Sequence, residues 1–330
     1  MPSGRFTLLV LFLVFAGLST LLDEGTLSLY VLFVLASIVT VGLSLLMGHA
    51  GQVSLGQGAF YACGAYTSGV CATHGWPGLV ALAAAPLTAG ALAAAVGIPL
   101  FVLRGHHLAF ATLALHLIYL SVIGELAFVG GDVGLQGIPP LRLASFEVGS
   151  VRGYAYLSSA ALLVVVALSQ NILASRHGRA LRALSTSESA AASSGISVSR
   201  YKLAVFALSA AFAGLSGGIY AFFMGYLAPG SFPVVMSIEY VVMASVGGLG
   251  TISGAVLGSA IVMTLVHVLS RIATLSGMPS SAPAVLSYAV YAALLIAVVL
   301  YLPHGIGPVL AQRSVRLLAR ARRRFSRQLS

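Results

Sequence analysis

Residues 175–202 read SRHGRALRALSTSESAAASSGISVSRYK, the longest polar interval in a chain that is otherwise almost wholly apolar. The interval holds five basic residues, Arg176, Arg179, Arg182, Arg200 and Lys202, and one acid, Glu188. Basic residues concentrate in the cytoplasmic loops of membrane proteins, so this stretch marks one side of a membrane as the inside. Its local pattern is helical. Leu181 and Leu184 fall on one side of a helix that begins near Gly178, with Arg179 and Arg182 beside them. Ser185 and Glu188, three residues apart, fit a capping box that would open a second short helix. Gly195 is placed to end that helix in the left-handed conformation. The expectation is two short helices at the membrane surface, joined near Ser185. Such a segment is either a solvated loop with snorkelling arginines or a docking platform for a soluble partner.

Composition decides the class of the rest. Of 330 residues, 59% are hydrophobic and 7% charged, with a mean hydropathy of +1.02. A soluble domain carries about 25% charged residues, so the chain is not a water-soluble globule. Cys63 and Cys71 both lie in apolar sequence, which does not indicate a disulfide framework. The net charge of +10 does not point to nucleic acid, because most of the arginines flank apolar runs and belong to topology and headgroups. Arg5 and the apolar run after it look like the start of a signal sequence. Asp23 and Glu24 stand where small cleavage-site residues would be expected, so the run reads as a retained first span.

A span of the bilayer takes roughly 17 to 25 residues. On that scale the sequence divides into about ten helices: 6–22, 26–47, 59–73, 77–103, 107–126, 153–174, 201–226, 233–246, 252–269 and 283–302. Between the fifth and sixth lies a second polar interval, 130–152, rich in glycine and containing Asp132, Arg142, Glu147 and Arg152. The transmembrane domain is thus 1–302, with an inner loop at 175–202 and an outer one at 130–152. A basic tail, 303–330, follows.

Alternating the spans from an inside N-terminus puts 14 of the 17 basic residues on one side, leaving Arg142, Arg152 and Arg271 on the other. Both termini then face the cytoplasm. Five spans lie in each half. An odd number makes the second half run opposite to the first, the arithmetic of an inverted repeat.

Two glycine-rich breaks interrupt the spans. Residues 48–66, GHAGQVSLGQGAFYACGAY, contain Gln52, Ser54 and Gly56; residues 246–254, VGGLGTISG, contain Gly247 and Gly248. Small residues let helix backbones approach closely, and Ser or Gln can bond freed backbone groups, so each break reads as tight packing or as the lining of a polar pathway. The second break lacks the lysine of a phosphate-binding loop. Glu239 is an acid inside the eighth span, where an ionisable group is expensive. It is either a hydrogen-bonded packing residue or a functional one. His106, His107, His116 and His267 have no metal-binding spacing, and no nucleophile set or redox motif appears. The reading is of no catalytic residues and no metal.

Four stretches carry a family likeness: GQVSLGQGAFYACGAYTSGV (51–70), GGDVGLQGIP (130–139), GRALRALSTSESAAASSGISVSRYKLAVFALSAAFAGLSGGIYA (178–221) and SIEYVVMASVGGLGTISGAVLG (237–258). Their order and character resemble the permease subunits of branched-chain amino acid ABC importers, the LivM-like branch, over about residues 27–302. The resemblance implies an all-α polytopic fold of the type II importer kind, in the bacterial inner membrane. It implies that 178–196 is the segment gripped by an ATP-binding subunit, with Gly178, Arg179, Arg182, Leu184, Glu188 and Gly195 the residues of the contact. Ser185, Thr186, Ser187 and Ala192 depart from the family pattern, in which charged or amide residues are more usual. Gln52, Ser54, Gly56, Gly131, Asp132, Gly134, Glu239, Gly247 and Gly248 would border the pathway or its gates. Implied partners are two ATP-binding subunits, a homologous second permease, a periplasmic substrate-binding protein and the lipid bilayer. ATP would be bound by the partners, and this chain would need no cofactor. Related permeases carry urea or short amides, which is the alternative substrate class. An ion-coupled secondary transporter, resting on Glu239 alone, is a further alternative.

Overall fold

The structure is a computed structural model that describes residues 23–100, 106–143 and 146–273, together with scattered positions between 285 and 296. In chain order its elements are α1 (Glu24–Ala50), α2 (Gln57–Thr73), α3 (Gly78–Leu100) and α4 (His106–Glu125). Two 3₁₀ turns (Ala127–Val129 and Gly131–Val133) lead to a small antiparallel hairpin, β1 (Leu141–Leu143) and β2 (Phe146–Val148), in which Arg142 stands opposite Glu147. Then come α5 (Val151–Ala174), α6 (Arg176–Thr186), α7 (Glu188–Ser193) and α8 (Val198–Met224). A 3₁₀ turn (Pro229–Ser231) precedes α9 (Val235–Gly247) and α10 (Ile252–Ala273).

Seven helical segments among the described residues are long and apolar enough to cross a membrane. α2 is an eighth apolar helix, but its 17 residues reach only about 25 Å at 1.5 Å per residue, short of a hydrocarbon core of about 30 Å. The expected first span (6–22) and the basic tail lie outside the described residues, as does most of the expected tenth span.

α1 and α8 form the centre. α1 is apolar on all sides and is buried along most of its length, as a helix without a polar face must be. α8 packs against α1, α2 and α3, and its contact surface is a run of small residues. A methyl group on Gly214 would meet Ala89 and the backbone of Ala85, and one on Gly217 would strike the carbonyl of Tyr61. Between helices in lipid, close backbone approach supplies the van der Waals contact that hydrophobic burial supplies in water. α3, α4 and α5 are mostly exposed at the periphery, with Leu87, Ile98, Phe110, Ile118 and Val164 pointing outward. Apolar side chains facing out along such helices are what a lipid-facing surface requires.

The bundle has two distinct ends. At one, which carries α6 with its three arginines and α7 beside it, the two glycine-rich breaks meet: Gly250 donates its backbone N–H to Ser44 (3.1 Å to the carbonyl, 3.0 Å to Oγ), and Gly48 lies on the Gly250 backbone. At the other, the 3₁₀ turns, the hairpin and the chain after α8 gather. Leu135 and Leu227 exchange both backbone hydrogen bonds (2.7 and 3.0 Å), and Ile138 donates to the carbonyl of Gly225 (3.3 Å).

Candidate functional site

The basic end carries the segment that the sequence singles out. Ser175 caps α6 by accepting the N–H of His177 (3.1 Å). Leu181 and Leu184 turn inward and are buried, while Arg179 and Thr186 face out. Gly178 is buried against the backbone of Leu173, so α6 crosses the end of α5 at contact distance. Arg182 folds back and donates from Nη1 to the Leu173 carbonyl (2.9 Å), placing a cation at the C-terminal, negative end of α5.

The capping box expected at Ser185 is corrected. α6 runs on to Thr186, and Ser185 donates its hydroxyl to the Arg182 carbonyl (2.9 Å) instead. The joint is Ser187, in extended backbone, whose Oγ accepts the N–H of Ala190 (3.3 Å) and so caps α7. Glu188 forms an ion pair with Lys202 that ties α7 to the start of α8. Gly195, at φ +81°, closes α7: its own N–H bonds the Ala192 carbonyl (3.0 Å), and the Ile196 N–H bonds that of Ala191 (3.1 Å). That is the paired pattern of a helix ended by a left-handed glycine.

The hook formed by α6 and α7 rests on the body. α6 packs on α1 and α5. His49, in the last turn of α1, lies beside Gly250. Gly247 and Gly248 are buried in the turn between α9 and α10 at this same end, Gly247 against the Gly254 backbone. The two breaks, read separately in the sequence, are therefore one packed unit adjoining the hook.

From that end the chain runs inward as residues 51–56, without regular structure, and α2 begins in the interior. Gln52 and Ser54 are 4% and 1% exposed and Gly56 is fully covered, packed on the backbone of Thr112. The N–H of Leu55 bonds Oγ1 of Thr112 (2.9 Å). Gln57 donates from Nε2 to Ser209 Oγ (3.1 Å), and the Gly58 N–H bonds Ser237 Oγ (2.9 Å), which in turn lies 3.0 Å from His116 Nδ1. His116 and Ser209 stand near the middle of α4 and α8. Ser237 is in the first turn of α9, which starts after a run from the opposite end that contains only the 3₁₀ turn Pro229–Ser231. Two short helices, α2 and α9, thus begin at the same depth in the middle of the bundle, linked through Ser237. Thr112, His116, Ser209 and Ser237 were not selected from the sequence. Their only signal was a polar side chain within an apolar span. Among the described residues, Oε1 of Gln52 and Oε1 of Gln57 are buried without a partner.

At the far end, Gly131 and Asp132 form a 3₁₀ turn, with Asp132 exposed and close to Gly124. Gly134 (φ +88°) lies directly on the Leu227 carbonyl, a fit that only a residue without Cβ allows. Tyr226 adds a hydrogen bond from its hydroxyl to the Val133 carbonyl (2.8 Å). Glu239 is half-buried, one turn into α9. It borders a cavity of about 250 Å³ between α9, α1, α2, α8 and α10, walled by Tyr61, Tyr220, Tyr240 and three methionines.

A polytopic α-helical body with two broken helices meeting in its interior and a cationic hook at one end is the build of a membrane transport subunit. The chain belongs to the family described as the branched-chain amino acid transport system / permease component, whose sequence model matches residues 25–299. It is 31% identical over 276 residues to the high-affinity branched-chain amino acid transport system permease protein LivM of Escherichia coli, covering 76% of this chain and 65% of that one. To the protein of the same name in Salmonella typhimurium it is 29% identical over 284 residues, 78% of this chain and 67% of the relative. A probable branched-chain amino acid transport permease protein LivH of Methanocaldococcus jannaschii is 31% identical over 158 residues, 47% of this chain and 50% of the relative. The matches thus span about two thirds of the length of the curated LivM relatives. No solved structure matches.

Proposed function

We propose that this chain is a permease subunit of an ATP-driven importer of branched-chain amino acids. It would sit in a bacterial inner membrane with both termini in the cytoplasm. The body would comprise ten spans in residues 1–302, with a cytoplasmic tail at 303–330. A homologous second permease completes the pathway, a periplasmic binding protein delivers the solute near 130–152, and two partner subunits bind the ATP. The permease itself hydrolyses nothing and needs no cofactor.

The single observation that carries this reading is the hook. Its outer face, with Arg179, Thr186 and Glu188, is exposed, while its inner face is anchored to α1 and α5. A rigid pair of helices with one free face and one anchored face can receive a displacement and deliver it to the spans. Gly178 and Arg182 hold it to the body, with Leu184 on its covered face; Arg179, Glu188 and Gly195 shape the surface that an ATPase would grip. The displacement would pass through α1, on which α6 packs, to the contact of Gly48 with Leu249 and Gly250 in the turn that follows Gly247 and Gly248, and so to α9 and α10. Alternating access needs a body with two arrangements. The unpaired amide oxygens of Gln52 and Gln57, buried beside Ser54 and Gly56, are a local cost that a second arrangement could relieve. The mid-body starts of α2 and α9, the third helix of each half, support the inverted repeat. Gly131, Asp132 and Gly134 would form the outer gate, clamped on the end of α8.

The test is Glu188→Arg in the assembled transporter. Uptake of radiolabelled leucine into vesicles should be abolished and the ATPase should no longer co-purify, while the permease remains in the membrane. Deletion of residues 186–194 should do the same. Unchanged uptake in both variants would refute the coupling role.

A further inference from the structure

We infer that the place where α2 and α9 begin, in the middle of the bundle, is a transit site for the carboxylate of the carried amino acid. The Gly58 N–H and Nε2 of His116 are its donors, and Ser237 Oγ holds the position of a carboxylate oxygen until the solute arrives. This rests on the importer reading above and names the group of the solute that the pathway recognises. α2 and α9, of 17 and 13 residues, are long enough to carry a partial positive charge at their N-termini. Neither is capped by a side chain of its own: Gly56 stands before α2 and Val234 before α9, both without a capping bond. Helix N-termini that start inside a membrane body are suited to the anionic groups of a solute. The Gly58 N–H, an orphan donor of the first turn of α2, is satisfied from another helix, by Ser237 Oγ at 2.9 Å.

The second observation is the imidazole. α4 faces outward along most of its length, yet Thr112 and His116, one turn apart, turn inward and are fully buried. Nδ1 of His116 lies 3.0 Å from Ser237 Oγ. That oxygen already accepts the Gly58 N–H, and among the described residues the Ser237 hydroxyl has no acceptor other than Nδ1. The hydroxyl therefore donates to Nδ1, and the neutral ring carries its hydrogen on Nε2. Nε2 is buried with no hydrogen-bond partner among the described residues; the Phe232 carbonyl lies close to the ring but makes no hydrogen bond with it. A buried N–H of this kind calls for an acceptor. Gly58 makes the approach possible, since a methyl group there would strike both the imidazole ring and Ser237 Oγ. As α9 moves, one carboxylate oxygen replaces Ser237 Oγ on the Gly58 N–H and the other takes Nε2. Oε1 of Gln57, also buried without a partner, is an acceptor suited to the α-ammonium group of the same solute. Room for the aliphatic part begins one turn further on: the cavity described above is bordered by Tyr61, three residues after Gly58, and by Tyr240, three after Ser237. Urea and short amides have no carboxylate, so the site selects amino acids over amides.

The experiment uses the assembled transporter in nanodiscs, with Cys63→Ala and Cys71→Ala to remove background thiols and Met236→Cys, next to Ser237, as a reporter. Alkylation by N-ethylmaleimide is timed with and without three compounds: L-leucine, 2-hydroxy-4-methylpentanoate, which keeps the carboxylate and lacks the ammonium group, and leucinamide, which keeps the ammonium group and lacks the carboxylate. Leucine well above its dissociation constant should slow alkylation at least about fivefold, because only the unoccupied site reacts. The hydroxy acid should also slow it, and leucinamide should leave the rate unchanged. Adding His116→Leu should raise the leucine concentration for half-protection at least about tenfold, the loss of one hydrogen bond to a charged group. His116→Gln, which keeps a side-chain N–H, should recover part of that loss. Size-exclusion profiles confirm that each variant is assembled, and the three-compound series needs no change at His116, so it decides the matter even where His116→Leu fails to assemble. Protection by leucinamide equal to that by leucine, no protection by the hydroxy acid, half-protection unchanged in an assembled His116→Leu transporter, or no protection by leucine would each overturn the site. ATP-driven leucine uptake by the wild-type transporter, measured alongside, tests the importer reading separately.

Discussion

A methyl group at Gly64 would drive into the backbone of Gly214, whereas one at Gly90 would meet the Ala207 carbonyl at 3.4 Å and Ala211 Cβ at 3.5 Å, ordinary contact. Both glycines sit in apolar helices against α8, and only their facing atoms differ. Gly64→Ala must push α2 and α8 apart, and overpacking of this kind costs about 1–3 kcal/mol. Gly90→Ala should be neutral or slightly stabilising, since alanine is the better helix former by about 1 kcal/mol. Thermal unfolding of the detergent-purified protein should show a clear drop in Tm for the first and no drop for the second. Equal Tm values would mean that α2 and α8 do not approach as described. The abundance of glycine in residues 48–66 was plain in the sequence. Which glycine meets a backbone was not, because that depends on the phase of α2 relative to α8. The same holds for Gln57 with Ser209 and for Ser237 with His116. Each is a polar residue in an apolar span, and only the packing of four helices names the partner.

At the scale of the element, the hook is where local sequence and structure agree in part. Both short helices, the inward leucines and the left-handed Gly195 were legible, because each follows from rules that act within a few residues. The joint was not. The run Ser185-Thr186-Ser187-Glu188-Ser189 offers several hydroxyls as caps, and Ser185 and Thr186 turn theirs back to the Arg182 carbonyl, extending α6 by two residues. The hairpin of residues 141–148 was also missed, since two strands of three residues leave too short an alternation to read. Among the described spans, the boundaries came within a few residues, since the length of an apolar run and a capping glycine are both written locally. The anchoring of α6 gives a prediction. Leu184, 3% exposed, lies on the covered face of the hook. Leu184→Asp would place an unpaired charge on that face, which is unfavourable enough to release α6. ATP hydrolysis by the assembled transporter should persist while leucine uptake falls by more than about tenfold, the fold-change of about 1.4 kcal/mol. Loss of both together would mean that Leu184 supports assembly rather than transmission.

Across the whole molecule, two sets of contacts define the ends independently of charge. Gly48 with Gly250 closes one end, and Leu135 with Leu227 closes the other. Counting helices between these points gives the same alternation as the basic residues do. α1 runs toward the Gly48 end, α2 away from it, α3 back and α4 away again, which brings residues 130–138 to the Leu227 end. α5 then returns the chain to the hook, and α8 carries it out to Leu227. Backbone contacts and charge distribution are separate properties, and a missing or extra crossing would have set them in conflict. The orientation itself follows from the arginines: the hook end should face the cytoplasm. With Cys63→Ala and Cys71→Ala as background, Gln136→Cys should react with a membrane-impermeant maleimide added to intact cells, and Ser189→Cys should react only after the membrane is opened. Both positions are solvent-exposed, so each can report. Labelling of Ser189→Cys in intact cells would put the hook outside, beyond the reach of any cytoplasmic ATPase, and the importer reading would fall with it.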